Sequence, residues 1–393
     1  YGAGDRRDNR SGVATAVVAC VPTTLVGPTG ELEPFTMSEE DLHNVLTDDY
    51  GSVEAQKDID VPDRLLPEEE LARLVAERRP EFVPVADGEE AQGPADADSG
   101  VYQRRLSNGI RVNYRVTQNE PRGAMLRMSF QGGRACEGTA PGEAAAVAVG
   151  VRALSETGAV GPWEREQVEL FCMTRLINCV LESDEEWVTM DFHFAVSGDG
   201  LRGLLELLHL MLEQPRFDPT ALERAKQLYV SHYRSLGKSL ERAAVAKLLG
   251  AMLGGDRRFL DPDEADVAAV TMEGARNAVL QQLGGGNLEI SIVGDVDVGE
   301  LDGLVLDYLG TAVPHRAPVP ALPERPVTMA DLPAGAPERR QVFFLKDSDE
   351  RACAYLAGPA PNRWGWGAPQ LREAPAAGTP GAVAAAAAAA AAA

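Results

Sequence analysis

The ten residues Trp187-Val-Thr-Met-Asp-Phe-His-Phe-Ala-Val196 decide the fold class. Val188, Met190, Phe192, Phe194 and Val196 fall on one side and Trp187, Thr189, Asp191 and His193 on the other, the period of a strand with one buried face. Upstream, Leu126, Met128 and Phe130 alternate with Arg127, Ser129 and Gln131 until Gly132-Gly133 breaks the run. Ile110, Val112, Tyr114 and Val116 alternate in the same way behind Asn108-Gly109, a pair suited to a hairpin turn. Between and after these strands the period changes to that of helices. It predicts them over 142–156, 164–177 (Val168, Phe171, Cys172 and Leu176 on one face), 201–213, 219–236, 240–253, 272–283 and 299–309, with a further strand over 288–293. Strands grouped with runs of helices predict an α+β fold with antiparallel pairing, not a doubly wound sheet.

Composition narrows the function. The chain has 393 residues, 37 Lys+Arg against 60 Asp+Glu and a formal charge of −23. A balance this acidic argues against nucleic acid, whose phosphates require Lys and Arg, and favours basic peptides. No apolar run is long enough for a membrane span; the final alanines are too weakly hydrophobic. Five cysteines, spread from Cys20 to Cys353 without close spacing, do not form a disulfide framework. A first residue of Tyr1, with no leader pattern behind it, predicts a piece of a longer protein.

Few residues offer chemistry. A zinc hydrolase needs imidazoles and a carboxylate converging on one metal. His209 and Glu213 are four apart on a leucine-rich helix, but with no second His nearby His209 reads as a core or boundary residue. His193 sits on the polar side of its strand, and His43, His232 and His315 are isolated. Cys172 and Cys179 read as small buried hydrophobes. Gly284-Gly-Gly286 precedes a strand, so it lacks the geometry of a phosphate loop. The acidic clusters Glu182 to Glu186 and Asp261 to Asp266 read as solvated turns that could draw in a basic substrate. No catalytic, cofactor-binding or metal-ligating residue is assigned.

Several strings in order carry a resemblance: Gln167-Val-Glu-Leu-Phe-Cys172, Leu176-Ile-Asn-Cys-Val-Leu-Glu-Ser183, Arg234-Ser-Leu-Gly-Lys-Ser-Leu-Glu-Arg242, Ser291-Ile-Val-Gly-Asp295, Asp307-Tyr-Leu-Gly-Thr311, Asp349-Glu-Arg-Ala-Cys-Ala-Tyr355 and Gly358-Pro-Ala-Pro-Asn-Arg-Trp364. Over residues 15 to 367 the chain resembles the pitrilysin or insulinase-like zinc peptidases, specifically the C-terminal half of members that process precursors in the chloroplast stroma. The resemblance implies repeated domains of mixed sheet plus helices, closing in two halves around a peptide chamber. It implies zinc held only in the N-terminal half, by an H-x-x-E-H helix and a later Glu. The matching positions here fall near Ala148-Val-Gly-Val151-Arg152 and Tyr229-Val-Ser-His232, so the resemblance implies no zinc in this segment. The family's helper Arg and Tyr would follow Trp366, where the pattern ends.

On this reading, residues 1–60 are the tail of a preceding peptidase-like domain and 61–100 a connector with an acidic linker. Residues 101–313 form a complete domain without zinc ligands, and 314–340, with seven prolines, a second connector. Strands Gln341–Leu345 and Ala352–Leu356 begin a further domain over 341–367, and 368–393 are a low-complexity Pro/Ala tail. The implied function is the non-catalytic part of a zinc metalloendopeptidase that removes transit peptides from imported precursors. Its implied partners are the N-terminal zinc-binding half and basic transit peptides. The alternative is a catalytically inactive scaffold member of the same family.

Overall fold

The computed structural model describes residues 18–26, 32–47, 57–86, 90–254, 256, 258, 260–283, 288–312, 332–333, 335–344 and 351–358. It divides into two units, 1–58 and 59–393. In the first, β1 (Thr24–Val26) pairs antiparallel with β2 (Leu32–Pro34) and is followed by α1 (Glu39–Thr47). The apolar run Val13–Val21, stopped by Pro22, predicts a buried strand, but its described residues form none. Residues 18–22 are irregular, with Val18 86% exposed, and among the described residues no strand pairs with them.

The second unit is built on a seven-stranded sheet of order β3-β4-β5-β9-β6-β8-β7. Its strands are β3 (Phe82–Val83), β4 (Tyr102–Leu106), β5 (Arg111–Val116), β6 (Gly123–Gln131), β7 (Asn178–Ser183), β8 (Trp187–Ala195) and β9 (Glu289–Gly294). All neighbours are antiparallel except β5 and β9. Register aligns Tyr114, Ile292, Leu126 and Phe192 in one row and Val112, Ile290, Met128 and Met190 in the next. These eight side chains are buried, and each contributes about 1.5–3 kcal/mol of burial energy. The intervening residues, among them Asn113, Arg127 and Asp191, point to the other, polar face, where Arg127 and Asp191 form a bidentate pair across β6 and β8.

Helices supply the remainder of the core: α2 (Glu68–Arg78), α3 (Ala146–Thr157), α4 (Arg165–Thr174), α5 (Gly200–Glu213), α6 (Pro219–Leu236), α7 (Leu240–Met252), α8 (Glu264–Ala269), α9 (Met272–Leu283) and α10 (Val298–Tyr308). Local chemistry sets their starts. Asp218, with Pro219 behind it, accepts from the amides of Thr220 and Ala221, and Asp297 accepts from that of Glu300, each satisfying orphan N–H groups of a first turn. Asp263 does the same for α8, so the acidic stretch 261–266 opens a helix instead of a solvated turn. Asp184 closes the β7–β8 turn by accepting from the amides of Glu186 and Trp187. The helix expected over 164–177 stops at Thr174. Leu176, expected on its buried face, is 71% exposed in a left-handed conformation.

Within residues 61–100, read above as connector and linker, the helical spacing of Leu71, Leu74 and Val75 over 67–79 is that of α2, and the segment also supplies the edge strand β3 and the buried Leu65 and Leu66. The strands expected over Gln341–Leu345 and Ala352–Leu356 are corrected: 341–344 and 351–358 are irregular, with Phe344 91% and Leu356 100% exposed. An isolated extended segment without a pairing partner gains no ladder. Most of the proline-rich connector, His315, Gly284–Gly286 and the Pro/Ala tail lie outside the described residues. Among the described residues no helix is long and apolar enough to cross a membrane.

Candidate functional site

The two segments matched to the zinc-binding positions, far apart in sequence, meet in the structure. Ala148 to Arg152 lie on α3 and Tyr229 to His232 on α6, and the Tyr229 hydroxyl donates to the Ala148 carbonyl at 3.2 Å. Burial pushes the Tyr229 phenol above its ordinary pKa, so it stays a neutral donor. Val149 and Ala153 of α3, with Ala145 just before it, pack with Leu222 and Ala225 of α6 and with Val267, Val270 and Ala275. Arg152 turns to Glu156 on its own helix at 2.7 Å. His232 is exposed and faces Asp261 at 3.3 Å. The side chains at this seam are therefore methyl groups and a phenol, which do not fit a zinc ion needing imidazole, thiolate or carboxylate donors. Among the described residues no group of three or more His, Cys, Asp or Glu could hold a metal.

The start of α3 has its own carboxylate. Glu137, buried, accepts from the amides of Val147 and Ala148 at 3.1 and 3.0 Å and pairs with Arg134 at 3.2 Å. Desolvation pushes its pKa up, opposed by the Arg134 charge. It serves as a cap for the helix that Ala145, in a left-handed conformation, enters without a side-chain cap. Gly150 lets α3 and α9 approach: a Cβ there would lie 2.7 Å from the Ala275 carbonyl oxygen and from a Val279 methyl. Gly150→Ala is expected to cost about 1–3 kcal/mol by prising these helices apart. A denaturant melt checks this, and an unchanged midpoint would show that the contact yields.

The other residues considered from sequence disperse. His209 is buried on α5, with Nδ1 2.8 Å from the Tyr308 carbonyl, and burial lowers its pKa. Glu213 instead pairs with Arg78 of α2 at 2.9 Å. His193 is exposed on β8 opposite Asn178 and Met125, and His43 lies on α1. Cys172 and Cys179 are free thiols bordering one apolar cavity. Desolvation pushes Cys172 up to about 11 and Cys179, exposed overall on its strand, up to about 12, so both remain protonated at neutral pH. The sequence reading missed β7 beside them, although Cys179 and Leu181 already alternate with Val180 and Glu182. The hydroxyl of Tyr229 carried no signal of its contact with Ala148.

No family model matches the chain. Stromal processing peptidase, chloroplastic, of Arabidopsis thaliana is 43% identical over 352 residues, covering 89% of this chain and 27% of its own length. The Pisum sativum protein of the same name is 41% identical over 353 residues, covering 89% and 28%. The chain thus spans little more than a quarter of the length of these relatives. Among solved structures, the periplasmic protease PqqL from Escherichia coli superposes with a TM-score of 0.53 at 14% identity, over 75% of this chain and 30% of that one. The ferredoxin protease FusC, solved with Arabidopsis ferredoxin, gives 0.50 at 14% identity, over 76% and 30%. At such identities the structures speak for the fold alone. In sequence this segment is similar to the stromal processing peptidases, and in fold to the proteases PqqL and FusC.

Proposed function

We propose that the chain is the non-catalytic C-terminal portion of a chloroplast zinc metalloendopeptidase that removes transit peptides from imported precursors. Its role is to close the chamber and bind substrate, while the metal is held by the N-terminal half of the same protein. The observation that supports this is the α3–α6 seam, where the helices that the resemblance matches to the zinc-binding ones are packed together with methyl groups and a tyrosine. Keeping the fold while filling the metal position suits a domain that contributes surface and shape. The charge of −23 supports attraction of basic transit peptides by long-range field.

Two measurements on the full-length protein and on this chain test the proposal. Full-length protein is expected to hold stoichiometric zinc and to cleave a precursor; the 393-residue chain is expected to do neither, yet to bind the precursor with an affinity that falls as salt rises. Full-length protein without zinc or cleavage would favour the scaffold reading. Precursor affinity indifferent to ionic strength would remove the electrostatic role.

A further inference from the structure

Among the described residues β7 ends the sheet: β8 pairs with one side of it and no strand with the other. An open edge presents unpaired amide and carbonyl groups that another extended chain can take up. The two faces of β7 differ in chemistry. Cys179 and Leu181 are in register with Phe192 and Met190 and so point toward the helices. There they border a cavity of about 400 Å³, walled also by Leu154 of α3, Val168 of α4, and Leu207 and Met211 of α5. Val180 and Glu182 point to the opposite face, in register with Asp191 and Thr189. Glu182 is exposed, as are Asp184, Glu185 and Glu186 of the adjoining turn, and Glu169 reaches the cavity from α4.

We propose that β7 is a docking edge for an extended basic polypeptide, which adds as a further strand, sets an apolar side chain into the cavity and lays Arg or Lys along the acidic face. Strand addition combines main-chain hydrogen bonds for affinity with pockets for alternate side chains for selectivity. Charge selects the occupant. A second copy of this chain would bring the same carboxylates against their counterparts, whereas a basic strand pairs with them. The protonated thiols keep the cavity wall apolar at neutral pH. The class of occupant rests on the peptidase reading above; the place and mode of binding rest on the edge and the cavity.

The test titrates a short fluorescein-labelled peptide of alternating Arg and Leu into the 393-residue chain. N-methylating alternate amides in the register that faces β7 is expected to weaken binding at least about tenfold, the loss of one or two hydrogen bonds. The opposite methylation register should leave binding unchanged. Replacing the anchoring Leu by Ser should weaken it about fivefold or more, as should Glu182→Lys, a surface change that leaves the fold intact. Hydrogen exchange should show new protection at 178–183. Equal binding of all peptide forms, or protection elsewhere, would overturn the proposal. The peptidase reading is tested apart from it, by zinc content and precursor cleavage, so failure at β7 would leave that reading standing.

Discussion

Asp302→Ala is expected to destabilise the second unit by about 3–5 kcal/mol, because it strands a buried guanidinium. Arg104 of β4, its side chain 3% exposed, donates from Nε to Asp302 of α10 at 3.0 Å and from Nη2 at 3.2 Å. Its remaining donors reach the carbonyls of Gly93 and Gln103, and its guanidinium lies over the rings of Tyr102 and Tyr114. Tyr114 is buried beside this pair, and desolvation with the Asp302 charge pushes its pKa well above the ordinary phenol value. Removing the carboxylate leaves the cation without a counter-charge in a site closed to water. The double variant Arg104→Met with Asp302→Leu should recover most of the loss, since similar apolar volume often replaces a buried ion pair without penalty. Equilibrium denaturation of wild type, both single variants and the double variant gives the coupling directly. Additive single effects would show that the two residues do not act as a pair.

Glu206→Ala is expected to cost about 3 kcal/mol and to loosen the segment before α2. The Glu206 side chain is fully buried on α5, where it accepts from the Leu65 amide at 2.8 Å and pairs with Arg64 at 2.8 Å. The Tyr308 hydroxyl lies 3.4 Å away, and burial together with Glu206 pushes that phenol up to about 12. Leu65 and Leu66 are buried through this attachment. Trp163 adds to it by donating from its indole to the Leu65 carbonyl at 2.8 Å. Glu206→Gln keeps an acceptor for the Leu65 amide but loses the charge for Arg64, so about half the effect is expected. Limited proteolysis within residues 59–66 should rise in Glu206→Ala; resistance equal to wild type would show that the leucines hold the segment alone.

The strands β5, β6 and β8 were legible because each alternates over one buried face, and the register puts the alternating sets in one layer, although Val116 at the end of β5 is 42% exposed. The Asn108-Gly109 hairpin was legible too, but not the second task of Asn108. Its amide donates to the carbonyls of Leu309 and Ala312 at 2.7 and 2.8 Å, fixing the end of α10 to the turn. No local pattern announces a partner 201 residues away. The same holds for Glu206 within its leucine run and for Arg104 within β4, where a charge in an apolar context gains sense only from what the fold brings opposite. β7 escaped because it is short and polar at both ends, from Asn178 to Ser183, with only Cys179, Val180 and Leu181 apolar between. The α3–α6 seam was located by resemblance, not by periodicity. The apolar residues of 145–153 predict burial without saying that Tyr229 would close over them.

The place of β9 in the sheet has a consequence for how the protein is made. It lies between β5 and β6, pairing Arg111 with Glu289 and Ser129 with Glu289, although it follows both by well over a hundred residues in the chain. On a ribosome, β3, β4 and β5 can assemble early and β6, β8 and β7 somewhat later, each as a sheet fragment with a raw inner edge. Neither can join the other until residues 289–294 have left the exit tunnel. Pairing across so long a loop is slow, and the waiting edges invite mispairing. The nascent chain therefore passes through a window in which two sheet edges stand unpaired, and a chain ending before Glu289 lacks the strand that joins them.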